Sequence, residues 1–230
     1  MKHLKPIFAF AAALALLFTL CACGSTESKA PSTTESTEPS TTQSTQPAGQ
    51  EISLGTVTGS RYENDSIGLA CEPGSGWYIY SKDEIAQLSG LVKENVSDED
   101  LLKLMENNGT VIVFYAAKDD GANSVNITVA NTGNQLEGVV TEEQLLDATL
   151  PQIEQAYPSL GYDDLEIGTD TVTFAGTSHP CIVVSATVNG AQLYQRQVFL
   201  LKGTCSVCVT SSSYFTDTTV EQLALFEALS

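Results

Sequence analysis

The stretch Cys181–Leu201 reads CIVVSATV-NG-AQLYQRQVFLL and decides the fold of this 230-residue chain. Asn189-Gly190 separates two runs rich in β-branched and aromatic residues, and this dipeptide readily adopts the positive φ angles of a type I′ turn. Lys202-Gly203 offers a second two-residue turn that leads into Thr204–Thr210. We therefore expect an antiparallel meander of three strands in this part of the chain.

The other strands are predicted from apolar runs and from alternation. A hairpin is expected around the turn Glu72–Gly76, a strand with two apolar faces next, and a half-exposed strand after it. Two short strands then precede the meander. The segments are Ile67–Cys71 with Trp77–Tyr80, Thr110–Ala117, Val125–Val129, Leu165–Ile167 and Val172–Phe174.

Helix starts are marked by a Ser or Thr that is followed three residues later by an acidic or amide side chain. These positions are Ser81, Ser97, Thr141 and Thr218. The last of them predicts a C-terminal helix that carries Leu223, Phe226 and Leu229. Within the third helix, Pro151 predicts a kink or a fresh start.

The order of these elements fixes the fold class. Strands joined by tight turns are antiparallel. We therefore predict an α+β fold, in which helices pack on an antiparallel β-sheet made of hairpins plus a C-terminal meander.

The chain divides into three segments by composition. Residues 1–22 have a charged start, an apolar run and a small-residue end, which is the layout of a secretory signal peptide. Residues 23–50 hold a Cys followed by a stretch rich in Ser, Thr and Pro, and residues 51–230 form the predicted acidic α+β domain. The apolar run Ile7–Leu20 would span roughly 21 Å as a helix, short of the ~30 Å bilayer core, although a permanent transmembrane helix stays an alternative.

The end of the signal peptide is more specific than an ordinary cleavage site. Leu20-Cys21-Ala22-Cys23 resembles a bacterial lipobox, with Leu three positions before the final Cys and a small residue directly before it. That resemblance implies that Cys23 is the lipid attachment site and the new N-terminus, carrying acyl chains such as palmitate. Two acyl chains hold a protein stably at a membrane. A soluble secreted protein cut after Ala22 is the alternative.

The segment that follows is a predicted tether. Residues 24–50 contain 13 Ser or Thr in 27 positions and a duplicated octapeptide, PSTTESTE from Pro31 and PSTTQSTQ from Pro39. Such a composition cannot bury enough apolar surface to offset chain entropy, so we expect disorder.

Charge excludes one class of partner and favours another. Residues 51–230 contain 25 acidic and 7 basic residues, which accounts for the whole net charge of −18. Nucleic acid is excluded because phosphate contacts need clustered cations. A cationic protein or envelope partner is favoured, and the domain is expected to stand clear of anionic lipids.

Short motifs in the domain resemble the PsbP-like family and small surface lipoproteins of gut Firmicutes. The motifs are Tyr62-Glu-Asn64, Gly68, Pro73-Gly74, Gly76-Trp77 and Phe174-Ala-Gly176. The resemblance spans about residues 60–230 and implies an assembly or stabilising factor without catalysis. Such proteins have no fixed functional motif, so the resemblance assigns no site residue.

Four features could carry chemistry, and each has a simpler interpretation. His179 stands before Pro180 with no nucleophile motif nearby, so we interpret it as a solvated turn histidine. Cys205-Ser-Val-Cys208 has redox or zinc spacing, but in a strand its sulfurs point to opposite faces. With Cys71 and Cys181 these residues are predicted to be buried free thiols, although a disulfide stays open.

Carboxylate pairs and aromatic residues are the remaining candidates. The acidic groups do not match the calcium-loop pattern, so we interpret them as solvated charge. Trp77, Tyr78 and Tyr80 could line a carbohydrate cleft, with Trp77 and Ile79 on one face of a strand. The carboxylate groups are Asp98–Asp100, Asp119–Asp120, Glu142–Glu143 and Asp163–Asp164.

Taken together, these observations predict a lipid-anchored protein on the extracytoplasmic face of a bacterial cell membrane. Its domain is predicted to be a non-catalytic binding or assembly module of the cell envelope, with no catalytic, cofactor or metal residue assigned. The alternatives are a receptor domain for calcium or a glycan and, less favoured, a hydrolase that uses His179.

Overall fold

A computed structural model describes residues 52–229, except Val92 and Glu94, and of Asn108 only the backbone. The predicted signal peptide, the lipid attachment residue Cys23 and the predicted tether therefore lie outside the described residues. Two antiparallel sheets with helices packed on them form the domain, which confirms the α+β class. In the described part of the chain, no helix is long and apolar enough to cross a membrane.

The smaller sheet has four strands and the larger has seven. The order in the small sheet is β1 (Thr56–Thr58), β2 (Arg61–Asn64), β3 (Leu69–Cys71) and β11 (Phe226–Ala228). The order in the large sheet is β4 (Trp77–Ile79), β5 (Thr110–Lys118), β6 (Asn123–Asn131), β10 (Cys205–Tyr214), β9 (Ala191–Lys202), β8 (Thr177–Val188) and β7 (Tyr162–Phe174). The helices are α1 (Lys82–Leu88), α2 (Asp98–Asn108), α3 (Glu142–Ala156), a 3₁₀ turn (Tyr157–Leu160) and α4 (Thr219–Leu223).

The predicted meander is confirmed as β8–β9–β10. Asn189 and Gly190 have φ angles of 52° and 78°, as a type I′ turn requires, and Cys181 pairs with Val198 as expected. A two-residue turn at Lys202–Gly203 would pair Val198 with Val207, but Val198 pairs with Val209. The second turn lies at Gly203–Thr204 and not at Lys202–Gly203, which moves the register of β10 by two residues.

Two further strand predictions are wrong. The two short strands before the meander are one strand, β7, which pairs with β8 over most of its 13 residues. The polar residues 168–171 between the two predicted strands pair in register with β8, and a register shift occurs only earlier, near Asp164, whose φ is 50°. The predicted hairpin of β3 and β4 does not form either, because the two strands belong to different sheets.

The predicted C-terminal helix is largely wrong. Helix α4 ends at Leu223, and β11 pairs its residues Phe226–Ala228 with Leu69–Cys71. Asp217 Oδ1, not the Thr218 hydroxyl, accepts from the Thr219 N–H at the helix start, at 3.0 Å. Extending the chain as a strand buries the Phe226 side chain between the sheets, and this burial outweighs the local helix signal.

The other three helix starts are confirmed. Ser81, Ser97 and Thr141 each accept from a backbone N–H three residues on, and each capping box is complete. Gly109 ends α2 in the left-handed conformation. Helix α3 continues through Pro151, so a fresh start there is wrong.

The large sheet has a hydrophobic core on each of its faces. One core lies between the two sheets and includes residues of α2 and α4, such as Leu101 and Leu223. The other lies beneath α3 and includes Ile153 and Phe199. A small third cluster joins Ile85 of α1 to Ile112 and Tyr115 of β5.

Gly55 is expected to be the glycine that is least tolerant of substitution. Its φ is +73°, and a Cβ atom there would lie 2.6 Å from the Tyr62 ring and 2.7 Å from the Glu63 carbonyl oxygen. Gly55→Ala should therefore destabilise the domain by roughly 2–4 kcal/mol in urea denaturation. The matched control is Gly59→Ala, at φ +64° in open space, with an expected cost of about 1 kcal/mol. Equal costs at the two positions would contradict the close approach.

Candidate functional site

A cleft on the β7–β8–β9 edge of the large sheet gathers polar side chains from several elements. Its volume is about 430 Å³. We call it the Arg196 cleft. Its charged lining residues come from β7, β9 and the loop before α4, and they are Glu166, Asp170, Arg196 and Asp217.

Arg196 is held in place by contacts on several sides. Its side chain is only 11% exposed, and its Nη1 donates to Asp170 Oδ2 at 2.8 Å. The same nitrogen contacts the Cys181 sulfur at 3.4 Å, and Nε donates to the Thr219 hydroxyl at 3.4 Å. A guanidinium held this firmly loses little freedom when a ligand binds.

The charge of the Arg196 cleft is negative. Three exposed carboxylates, Glu166, Asp170 and Asp217, stand against one guanidinium. The hydrogen bond from Arg196 lowers the pKa of Asp170, so this carboxylate is ionised at neutral pH. With Arg196 already paired, the remaining field of the cleft favours a cation.

The loop at the rim of this cleft presents a strained, exposed aromatic residue. Phe215 has a φ of 70°, and its side chain leaves the residue 72% exposed. The Thr216 N–H donates to the Tyr214 carbonyl at 2.9 Å across it, which makes a γ-turn of the rare positive-φ form. Such strain costs of order 1–3 kcal/mol and concentrates at functional positions.

Sequence reasoning missed both parts of this site. Arg196 stands within the predicted strand Gln192–Leu201, where an isolated charge in a run that is otherwise apolar or amide was the available signal. Phe215 lies in a connection for which the sequence predicted no regular structure. The available signal for Phe215 was a large apolar side chain placed between Tyr214 and the polar residues that begin the predicted helix.

His179 is not a solvated turn histidine, and that interpretation is wrong. It lies in β8 with a side chain only 14% exposed. Its Nδ1 is 2.9 Å from Glu142 Oε2 at the start of α3, and its Nε2 is 2.6 Å from the Thr177 hydroxyl. This arrangement of hydroxyl, imidazole and carboxylate joins α3 to β8. None of the three residues lines the Arg196 cleft.

The four cysteines in the described residues are buried and free. Cys205 belongs to the core between the sheets and Cys208 to the core beneath α3, so the prediction of opposite faces is confirmed. Burial raises the pKa of Cys71 and of Cys208 to about 12, which keeps both thiols protonated and unreactive at neutral pH.

Two of the acidic residues singled out from the sequence, Asp100 and Asp120, have structural partners. Asp100 accepts from the Ser97 N–H and hydroxyl and pairs with Lys93, while Asp120 accepts from the Ala122 N–H. Across residues 52–229, apart from the two undescribed positions, no group of three His, Cys, Asp or Glu side chains is placed to hold a metal ion.

The aromatic cluster divides between two faces, as the alternation predicted. Trp77 and Ile79 pack against the core between the sheets, and Tyr78 and Tyr80 stack edge-on at 5.2 Å on the other side. Trp77 also lines a groove of about 300 Å³ between β1 and β4. We call this the edge groove and define it by Val57, Ser60, Pro73, Trp77, Tyr78 and Ile79.

Comparisons with known proteins give partial structural similarities. No family description matches the chain, and no curated protein matches it. A protein of Bacteroides thetaiotaomicron is similar over 76% of this chain and 50% of its own, at 11% identity and a TM-score of 0.41. A Pseudomonas aeruginosa protein of unknown function is similar over 45% of this chain and 64% of its own, at 15% identity and a TM-score of 0.27.

LpqN of Mycobacterium tuberculosis, described as involved in cell envelope biogenesis, is also similar. The match covers 70% of this chain and 83% of LpqN, at 8% identity and a TM-score of 0.35. The chain thus spans about half the length of the Bacteroides protein and under two thirds of the Pseudomonas protein. These similarities are too low to carry a functional argument, and the PsbP-like resemblance stays a prediction.

Proposed function

We propose that this protein is a lipid-anchored binding or assembly module of the bacterial cell envelope, displayed on the extracytoplasmic face and without catalytic activity. The lipobox-like sequence ending at Cys23 supports the location, and the Ser/Thr/Pro-rich segment after it supports a tethered display. The observation that carries the binding function is the Arg196 cleft. It brings three carboxylates and a buried guanidinium to one open surface beside the strained Phe215.

The chemistry of the cleft selects a cationic partner. Arg196 neutralises Asp170, which leaves the Glu166 and Asp217 carboxylates to attract a Lys or Arg side chain of another protein. Phe215 adds an exposed aromatic surface, and aromatic anchors next to charged groups are common at binding hot spots. The net charge of −18 would steer such a partner toward the domain.

The Arg196 cleft can be tested by comparing two variants with the same change in charge. The double variant Glu166→Gln/Asp217→Asn removes the two carboxylates of the cleft that have no cationic partner within the described residues. Asp147→Asn/Glu154→Gln removes two exposed carboxylates from α3 and is the matched control. Cross-linking in intact envelopes, followed by purification in detergent, measures the yield of partner adduct for each protein.

We expect the adduct yield of the cleft variant to fall about fivefold or more, and the yield of the control to stay within about twofold of the wild-type yield. Phe215→Ala should lose adduct as well, without loss of stability, because its side chain is exposed and its backbone is strained. Equal yields from the cleft variant and the α3 control would contradict the proposed site.

A further inference from the structure

The edge groove lies between the outer strands of the two sheets. Strand β1 ends the small sheet and β4 ends the large one, and each has a partner strand on one side only within its sheet. The groove shares no lining residue with the Arg196 cleft. A ligand bound in the edge groove would therefore occupy a second, separate binding site, which goes beyond the proposed function.

Strand β4 turns unpaired backbone groups toward this groove. Its ladder with β5 includes a bond from the Tyr80 N–H to the Tyr115 carbonyl and one from the Asp119 N–H to the Gly76 carbonyl, both at 2.9 Å. Because bonded positions alternate in an antiparallel ladder, Tyr78 also faces β5. The N–H and C=O groups of Trp77 and Ile79 point the other way, and within the described residues they have no hydrogen-bond partner.

The walls of the edge groove are apolar and exposed. Val57 and Tyr78 are each 50% exposed, and they are two of only five large hydrophobic residues so exposed within the described residues. Pro73, Trp77 and Ile79 complete the apolar lining. An edge strand beside exposed apolar side chains provides both main-chain bonds and side-chain contacts for an added strand.

Two lining residues of the groove, Ser60 and Tyr78, are each bonded to a carboxylate that lies just outside the lining. The Ser60 hydroxyl contacts Glu72 Oε1 at 3.5 Å, and the Tyr78 hydroxyl donates to Glu84 at 2.8 Å. Arg61 pairs with Glu72 at 3.7 Å, whereas Glu84 has no cationic partner within the described residues. The charge of the groove therefore favours a ligand that carries Lys or Arg.

We propose that the edge groove binds an extended peptide segment of a partner protein, in which apolar residues alternate with Lys or Arg. The segment adds a strand to β4 by bonding to the N–H and C=O groups of Trp77 and Ile79. Its apolar side chains contact Trp77 and Val57, and its cationic side chains approach Glu84 and Glu72.

Trp77 is the only tryptophan in the chain, so its fluorescence reports on this groove alone. The probe is the capped peptide Lys-Val-Lys-Val-Lys-Val-Lys, added to the full chain in neutral detergent. We expect a saturable change in emission. The Glu-for-Lys analogue should bind at least tenfold more weakly. The Lys peptide with a methyl group on every main-chain nitrogen should also bind at least tenfold more weakly, because it keeps its charges but has no main-chain N–H to donate.

Two valine variants distinguish peptide binding in the edge groove from binding elsewhere on the surface. Val57→Lys places a cation on the groove wall and should lower the affinity for the Lys peptide at least tenfold. Val139→Lys makes the same change at a valine that lies outside the groove and is 69% exposed. The affinity of this variant for the Lys peptide should be within twofold of the wild-type value. Absence of a Trp77 response at ~1 mM peptide, or equal losses in both variants, would overturn the proposal.

A second copy of this chain is the other occupant that the test can reveal. In that case Trp77 emission would change with protein concentration alone, and sedimentation would show a dimer that Val57→Lys abolishes. That result would also overturn the peptide proposal. Because the Arg196 cleft is probed by different variants and a different readout, failure at the edge groove leaves the proposed function untouched.

Discussion

Asn64→Ala is expected to lower the free energy of unfolding by about 2–4 kcal/mol, measured by urea denaturation. Asn64 is 1% exposed. Its Nδ2 donates to the Ser53 carbonyl at 2.8 Å and to the Tyr62 hydroxyl at 3.0 Å. Its Oδ1 accepts from the Ser66 hydroxyl at 2.6 Å and from the Ser66 and Ile67 N–H groups.

The large effect follows because alanine removes all of these bonds at once, and two of the partner groups, the Tyr62 hydroxyl and the Ile67 N–H, belong to buried residues. A buried polar group without a hydrogen bond costs more than the bond itself contributes. The matched control is Asn131→Ala, since Asn131 is exposed and accepts one bond, from the Gly133 N–H at 2.9 Å. We expect the control to cost under about 1 kcal/mol. Similar losses at the two positions would show that Asn64 does not anchor the β2–β3 turn.

Cys23→Ser is expected to abolish lipid attachment. The thiol of Cys23 is the proposed acceptor of the diacylglyceryl group, and a serine hydroxyl is a far weaker nucleophile at neutral pH. Mass spectrometry of the N-terminal peptide should show acyl chains on the wild-type protein and none on the variant. The wild-type protein should also partition into the detergent phase of Triton X-114, and any mature variant into the aqueous phase.

The neighbouring cysteine provides the control for this prediction. Cys21 stands two positions earlier in the same motif, so Cys21→Ser changes the same chemical group without removing the proposed acceptor. We expect its lipid content to equal that of wild type. Lipid lost in Cys21→Ser but kept in Cys23→Ser would place the anchor at the other cysteine. Lipid absent from the wild-type protein would favour the soluble secreted alternative.

Local chemistry explains which parts of the fold could be predicted from the sequence. The Asn189-Gly190 turn and the capping boxes at Ser81, Ser97 and Thr141 depend on residues that are close in the chain, and all four are confirmed. The second turn was misplaced by one residue. Gly203 there has a φ of 59°, and sequence alone does not distinguish Lys202-Gly203 from Gly203-Thr204.

Long-range pairing explains the wrong predictions. Phe226–Ala228 has helical spacing with Leu223, but its partner strand Leu69–Cys71 lies some 150 residues earlier. The separation of β3 from β4 depends in the same way on which distant strand each one meets. A local pattern contains no information about such partners, and tertiary packing overrides it.

In the candidate sites, too, local features could be predicted from the sequence and long-range contacts could not. The predicted face alternation of Trp77 and Tyr78 is correct, because alternation is a local property of a strand. The pairing of Arg196 with Asp170, and of His179 with Glu142, joins residues brought together by sheet order and helix placement. Their types were visible in the sequence, but their proximity was not.

The pairing of β11 with β3 also sets the order in which the domain can mature. The small sheet needs residues at both ends of the domain, so it stays incomplete until Phe226–Ala228 is available to the earlier strands. Within the β8–β9–β10 meander each strand pairs with the next strand in the chain, so these pairings can form before the C-terminal residues are available. During synthesis or export, the wall that carries β1 and the edge groove would therefore be the last part of the molecule to become rigid.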